Sequence, residues 1–149
     1  MDILVGTVLK IFISNKTTKQ RASCEKILLD SNGIISDKYY QSDKQRSVLI
    51  TSIDSYALLE SHQIRTTHGI LGENLLIDYN PYLLKPGTVL KIGTTHLEIS
   101  QYCTICQHLS SIDKKVPKLL EKDRGIFAKV INDGEITLGD KIFLVRPKP

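Results

Sequence analysis

The chain has 149 residues, of which 41% are hydrophobic, and a formal net charge of +4. That length predicts one domain with a proper core, and no apolar run approaches the roughly 20 residues of a membrane span. The charge is mild and the aromatics (6%) do not interleave with the basic residues, which argues against a nucleic-acid-binding barrel.

The N-terminus has no charged leader with an apolar core and a cleavage site, so no signal peptide is expected. The three cysteines, Cys24, Cys103 and Cys106, are an odd set for a secreted disulfide framework. A reducing, cytoplasmic setting is expected.

Residues 3–13 read as a first strand, with Gly6 at a bulge or close approach. Ser14 to Ser23 is polar and basic, with Lys16, Lys19 and Arg21, and reads as a turn or hairpin loop, solvated or phosphate-facing. Cys24 to Asp30 reads as a second strand, although the pattern also suits a helical turn. Ser31-Asn32-Gly33 is a turn, Gln41 to Gln45 a polar loop and Arg46 to Thr51 a third strand. Ser52 then offers an N-cap, and Ile53, Tyr56, Ala57, Leu59 and Ile64 recur at helical spacing. A helix over 53–63 packing on the sheet follows.

Two glycines three apart, Gly69 and Gly72, permit an irregular backbone just before Glu73 and Asn74. Asn80-Pro81 and Lys85-Pro86-Gly87 mark turns. Val89 to Ile92 and Thr95 to Ser100 alternate around Gly93-Thr94 and read as a tight hairpin. A short helix is expected over 115–123 with Pro117 in its first turn, then a strand over 125–132. Asp133-Gly134 reads as a hairpin dipeptide, Gly139-Asp140 as another turn, and 141–146 as the last strand. Many short strands with one or two helices predict a mostly-β barrel rather than a βαβ sheet.

The chemistry concentrates at Cys103-Thr104-Ile105-Cys106, just past a strand end, with His108, Lys114, Lys115, Lys118 and Arg124 following. Taken as residues alone, the pair could be packed structural thiols, a redox pair, half of a zinc site or a ligand-facing thiolate. Glu73 with Asn74 reads first as a turn-stabilising pair, with a catalytic role as the alternative. Asp37 with Lys38 reads as a surface ion pair, and His62 and His68 as solvent-facing. Arg46 and Arg124 could each hold an anion with their forked donors, although each taken alone reads as a surface residue.

In order, these segments resemble the MOSC family, named for the C-terminal domain of molybdenum-cofactor sulfurase. Gly33-Ile34-Ile35-Ser36-Asp37 resembles its Gly-Ile/Leu-x-Gly-Asp segment. Gly69-Ile70-Leu71-Gly72-Glu73-Asn74-Leu75 is similar to its Gly-x-x-Gly-Glu-Asn-Leu signature, the most specific match. The strand from Arg46, the stretch Leu84 to Gly93, the cysteine pair, Arg124 to Val130 and Gly134-x-Ile136-x-x-Gly139-Asp140 complete it. Ser36, Tyr39 and Tyr102 depart from the glycine, histidine and proline common at those positions.

The resemblance implies a pyruvate-kinase-barrel-like β-barrel with one or two short helices, over residues 1–149 as a single standalone domain of bacterial type. It also implies the molybdenum cofactor (molybdopterin) and sulfur delivery. Cys106 stands where amidoxime-reducing members ligate molybdenum, so it is the expected metal ligand or persulfide carrier, with Cys103 as a supporting or resolving thiol. Lys38, Arg46, Arg124 and Lys129 are the expected holders of the pterin phosphate, with Glu73 and Asn74 shaping the wall. Expected partners are molybdenum-cofactor enzymes, a cysteine desulfurase or an electron donor, with neither nucleic acid nor membrane. In cofactor sulfurases a separate desulfurase domain holds pyridoxal phosphate; 149 residues leave no room for it here, so none is expected. Whether the chain is itself an enzyme stays open. A non-catalytic interaction module with packed cysteines is the alternative.

Overall fold

The computed structural model describes residues 2–14, 21–103, 112–121 and 123–146. The strands are β1 (Ile3–Ser14), β2 (Arg21–Cys24), β3 (Lys26–Asp30), β4 (Gly33–Ile34), β5 (Val48–Ser52), β6 (Leu75–Ile77), β7 (Val89–Ile92), β8 (Thr95–Tyr102), β9 (Ile126–Val130), β10 (Gly134–Thr137) and β11 (Lys141–Val145). Helix α1 spans Ile53–Ser61 and the short α2 spans Val116–Leu119.

The strands β11-β7-β8-β9-β5-β6-β1 pair in that order, and β1 pairs back onto β11, so the sheet closes into a barrel. The described residues are therefore mostly β with two short helices, as the turns and alternation of the sequence predict. All barrel pairs are antiparallel except β5 with β6, which run parallel. A parallel pair needs a crossover, and α1 supplies it.

β1 pairs with β11, β6 and β2 along its length, with register shifts at Leu4/Gly6 and Val8/Lys10. Gly6 is indeed a close approach: a Cβ there would fall 2.5 Å from Asp78 Oδ1. That carboxylate accepts both the Thr7 N–H and the Thr7 hydroxyl at 2.7 Å. The hairpin from β7 to β8 turns on Gly93-Thr94 as expected. Gly93 has φ +59, and a Cβ there would strike the Glu135 carbonyl.

The barrel interior is filled by aliphatic side chains, among them Val8, Ile11, Val48, Ile50, Leu90 and Ile99. A second apolar cluster lies outside the wall, where Tyr56, Leu59, Ile64, Leu71 and Leu76 meet Val116 and Leu120. This explains why β5 and β6 are buried at every position: one face looks into the barrel and the other is largely covered from outside. Ser52 caps α1 by accepting the Asp54 N–H at 3.0 Å.

Several expectations need correction. The polar stretch from Ser14 contains β2, paired with the end of β1; its Lys16 and Lys19 lie outside the described residues. The expected strand over 24–30 breaks at Glu25, because β2 belongs to the barrel sheet and β3 to a separate three-stranded sheet, β10-β3-β4. The short helix covers only Val116–Leu119. Asp133-Gly134 does not close a hairpin: both edges of β9 are taken by β5 and β8, so β10 leaves the wall and pairs with β3. Among the described residues no helix is long and apolar enough to cross a membrane.

Candidate functional site

On the outer face of the β5–β9 wall, beside the end of β8, a cavity of about 370 Å³ opens, over the register pair Leu49 and Phe127. Its lining comes from four stretches: Tyr39, Ser42, Asp43 and Arg46 before β5; Ser47 and Leu49 at its start; Gly72 and Asn74 before β6; and Cys103, Arg124 and Phe127 around the β8 and β9 ends. Cys103 is placed there by its N–H, which donates to the Gly125 carbonyl at 3.0 Å. It is 6% exposed.

The two arginines differ. Arg46 sits exposed on a single 3₁₀ turn, Lys44–Arg46, whose cap is the Asp43 carboxylate accepting the Gln45 N–H at 3.0 Å. Its guanidinium lies 4.7 Å from the Phe127 ring centroid, a cation–π contact that fixes it at the rim. Arg124 is 7% exposed, and its Nε and Nη2 donate to the Leu71 carbonyl at 3.3 and 3.1 Å. Two guanidinium groups and a thiol therefore share one hollow.

The other residues singled out from sequence sit differently. Asn74 lines the cavity, yet its Oδ1 accepts the Leu49 N–H at 2.9 Å and its Nδ2 donates to the Phe12 carbonyl at 3.1 Å. Its amide ties β5 to β1. Glu73 is fully buried behind the wall, where its Oε2 accepts from the Tyr56 hydroxyl at 2.6 Å and the Gly69 N–H at 3.1 Å. Lys38 is exposed outside the lining, 5.5 Å from the Tyr39 ring centroid. Lys129 pairs with Glu98 at 3.4 Å and is not part of the lining. Cys106 and His108 lie outside the described residues.

Asp37 is a correction. Instead of a surface pair with Lys38 it is buried, and it accepts the Ser14 N–H at 2.7 Å and the Tyr39 N–H at 3.1 Å. It therefore orders the loop that carries Tyr39. His68 is another: it packs edge-on against Tyr56 with centroids 4.8 Å apart, and its Nδ1 is buried without a hydrogen-bond partner among the described residues. Burial, and after it the charge of Lys10, pushes its pKa below the usual histidine value. His62 is exposed as expected.

Sequence reasoning passed over Phe127 and Tyr56. Phe127 had a signal, since it alternates with the inward Ile126 and Ala128 on β9. Tyr56 fitted the apolar face of α1 and so was read as plain core. Among the described residues no group of three or more His, Cys, Asp and Glu side chains gathers as a metal site.

The family model described as the MOSC domain matches residues 36–143, which includes every described residue of this cavity wall. The chain belongs to the MOSC domain family. The family glycine at position 36 is explained by the backbone, for Ser36 adopts φ +77. Solved structures agree in fold. The YuaD protein from Bacillus subtilis superposes with a TM-score of 0.81 at 16% identity, covering 98% of this chain and 100% of that one. YiiM from Geobacillus stearothermophilus gives 0.69 at 16%, covering 98% and 76%. YiiM from Escherichia coli gives 0.70 at 16%, covering 95% and 71%. At such identities the likeness speaks for the MOSC barrel alone. No curated protein matches the chain at the sequence level.

Proposed function

We propose that this MOSC domain uses the cleft at Cys103, Arg46 and Arg124 to bind a molybdopterin-type cofactor or to carry its sulfur. The observation that carries the reading is the sharing of one cavity by a thiol and two guanidinium groups. The family's association with the molybdenum cofactor points the same way.

The residues present suit such a group. A cavity of about 370 Å³ is of small-molecule size. Guanidinium forks match phosphate oxygens, and thiolate is a soft donor that suits a metal already held by sulfur. Arg46 and Arg124 would hold the phosphate, with Lys38 near the rim. Cys106 would be the metal ligand or the persulfide carrier, and Cys103 the supporting thiol inside the cleft. Asn74 and Glu73 would act as wall and support, their polar atoms being spent within the fold. Lys129 contributes least, since Glu98 holds it outside the lining.

When bound, the cofactor would supply the redox-active metal or the transferable sulfur. This chain would bind it, exclude water and present a thiolate. A cysteine desulfurase, a molybdenum enzyme or an electron donor would be the partner in each case.

Metal analysis of the full chain, co-expressed with the cofactor pathway, tests the reading. The unmodified protein should carry molybdenum, and Cys106→Ser should lose it. Retention of all bound molybdenum by Cys106→Ser and by Cys103→Ser would remove the thiolate role. One observation favours a second reading, a non-catalytic interaction module: Cys103 is only 6% exposed. If Cys103 and Cys106 both resist alkylation in the folded protein, that module reading prevails.

A further inference from the structure

The wall between the cleft and helix α1 is the segment 69–74, and hydrogen bonds hold it from both sides. From the helix side, the Tyr56 hydroxyl accepts the Gly69 N–H at 3.0 Å and the Leu71 N–H at 3.4 Å, while donating to Glu73 Oε2 at 2.6 Å. From the cleft side, Arg124 Nε and Nη2 both donate to the Leu71 carbonyl. Gly69 and Gly72 have φ +94 and +91, so the segment turns where side chains are poorly tolerated, and two freely rotating glycines leave it to these hydrogen bonds to hold one backbone path.

We propose that Tyr56 is a positioning residue for the cleft: through Leu71, its hydroxyl fixes the buried guanidinium of Arg124 for an anionic ligand. The inference rests on the reading of the cleft as an anion-holding site. A guanidinium is useful to a phosphate only if its fork is held in the right plane. Here the Leu71 carbonyl takes two of its donors and so constrains that plane. The carbonyl in turn stays put because Tyr56 and Glu73 pin the backbone on either side of it.

Packing alone does not give this control. Leu71 is fully buried beside Tyr56 in the outer cluster, which holds the side chain; the peptide groups need polar partners of their own. Burial, followed by the negative charge of Glu73, drives the Tyr56 phenol far above the usual tyrosine range. It therefore keeps its proton as a donor to Glu73. Tyr56 also lines a second cavity, of about 380 Å³, with His68, Glu60 and Arg65.

The test uses the full chain with Tyr56→Phe, Arg124→Lys and the double variant, and inorganic phosphate as the probe. Tyr56→Phe keeps the ring and removes the hydroxyl. It should weaken phosphate binding about tenfold, the scale of one lost hydrogen bond, but less than about twofold in the Arg124→Lys background. Equal factors in the two backgrounds would overturn the proposal, because a merely structural role is additive.

A ligand-free readout is the NMR signal of the Arg124 Nε–H, which should be resolved and slow to exchange with water in the unmodified protein. Tyr56→Phe should speed that exchange; unchanged exchange would also overturn the proposal. If phosphate fails to bind the unmodified protein, the anion-site reading falls, while the Arg124 signal still decides whether Tyr56 sets the guanidinium. If Tyr56→Phe does not fold, Glu73→Gln, which keeps an oxygen for the tyrosine hydroxyl, should preserve the Arg124 signal, and Glu73→Ala should lose it. Identical behaviour of those two variants would overturn the link.

Discussion

Asn74 and Leu49 are joined twice: the Asn74 N–H donates to the Leu49 carbonyl at 2.8 Å, and the Leu49 N–H donates to Asn74 Oδ1 at 2.9 Å. The side chain thus imitates a strand at the point where β5 lacks one, just before β6 begins. With Nδ2 donating to the Phe12 carbonyl, one amide fastens β1 and β5 at the mouth of the cleft. Asn74→Ala should cost roughly 2–4 kcal/mol, since two buried backbone groups lose their partner. Urea unfolding would measure it, and a loss under about 0.5 kcal/mol would deny Asn74 this role.

Asn74→Asp makes a sharper version of the same point. The carboxylate still accepts from Leu49 but faces the Phe12 carbonyl where the amide donated. Its pKa should therefore rise on folding, since the protonated form alone can donate there. A raised folded-state value stabilises below the unfolded value and is lost as pH rises through the folded value. The deficit of Asn74→Asp against the unmodified protein should grow between about pH 4 and pH 7. A deficit independent of pH would contradict the geometry.

How much of this was readable beforehand depended on range. The Gly93-Thr94 hairpin and the Ser52-capped helix are set by residues within a few positions, and both were legible. Asp133-Gly134 misled because barrel closure is a long-range fact: no dipeptide reveals that both edges of β9 are occupied. The convergence of Cys103, Arg46 and Arg124 could be suspected from the family order of their segments, but not from spacing, since 78 positions separate Arg46 from Arg124. Glu73 and Asn74 marked the right segment for a different reason, because both spend their polar atoms holding the wall. Asp37 and His68 were misread as surface groups, since nothing in a polar residue's neighbours announces that backbone or an aromatic ring will cover it.

Ser36 gives a stability prediction. A serine at φ +77 carries a strain of about 1–3 kcal/mol, and glycine returns part of that gain through its freer unfolded chain. Ser36 is exposed, so its side chain buries nothing. Ser36→Gly should stabilise by about 1 kcal/mol, raising Tm by about 3 °C. Calorimetry showing no gain or a loss would mean the hydroxyl does more than tolerate the turn.

His68 should leave a mark on acid stability. Its folded-state pKa is depressed, chiefly by burial. Above its unfolded value both states are neutral and nothing is lost. As pH falls below about 6.5 the unfolded chain takes up the proton first, and stability declines until the folded value is passed. The difference in unfolding free energy between the unmodified protein and His68→Asn, followed from pH 8 down to pH 5, should move against the histidine in that window. A difference that stays constant across it would show that His68 is not desolvated against Tyr56.

The two arginines of the cleft should separate binding from stability. Arg46 is exposed and its one described aromatic contact, with Phe127, is worth about 0.5–1 kcal/mol at such a site. Arg46→Ala should therefore leave Tm within about 3 °C while weakening phosphate binding about tenfold, as loss of a charge-assisted contact does. Arg124 is 7% exposed and spends Nε and Nη2 on Leu71. Arg124→Ala strands the Leu71 carbonyl, so it should lose both affinity and roughly 2–4 kcal/mol of stability. Titration calorimetry and thermal unfolding on the same samples give the two axes. If Arg46→Ala proves the more destabilising, the rim and the wall have been assigned the wrong way round.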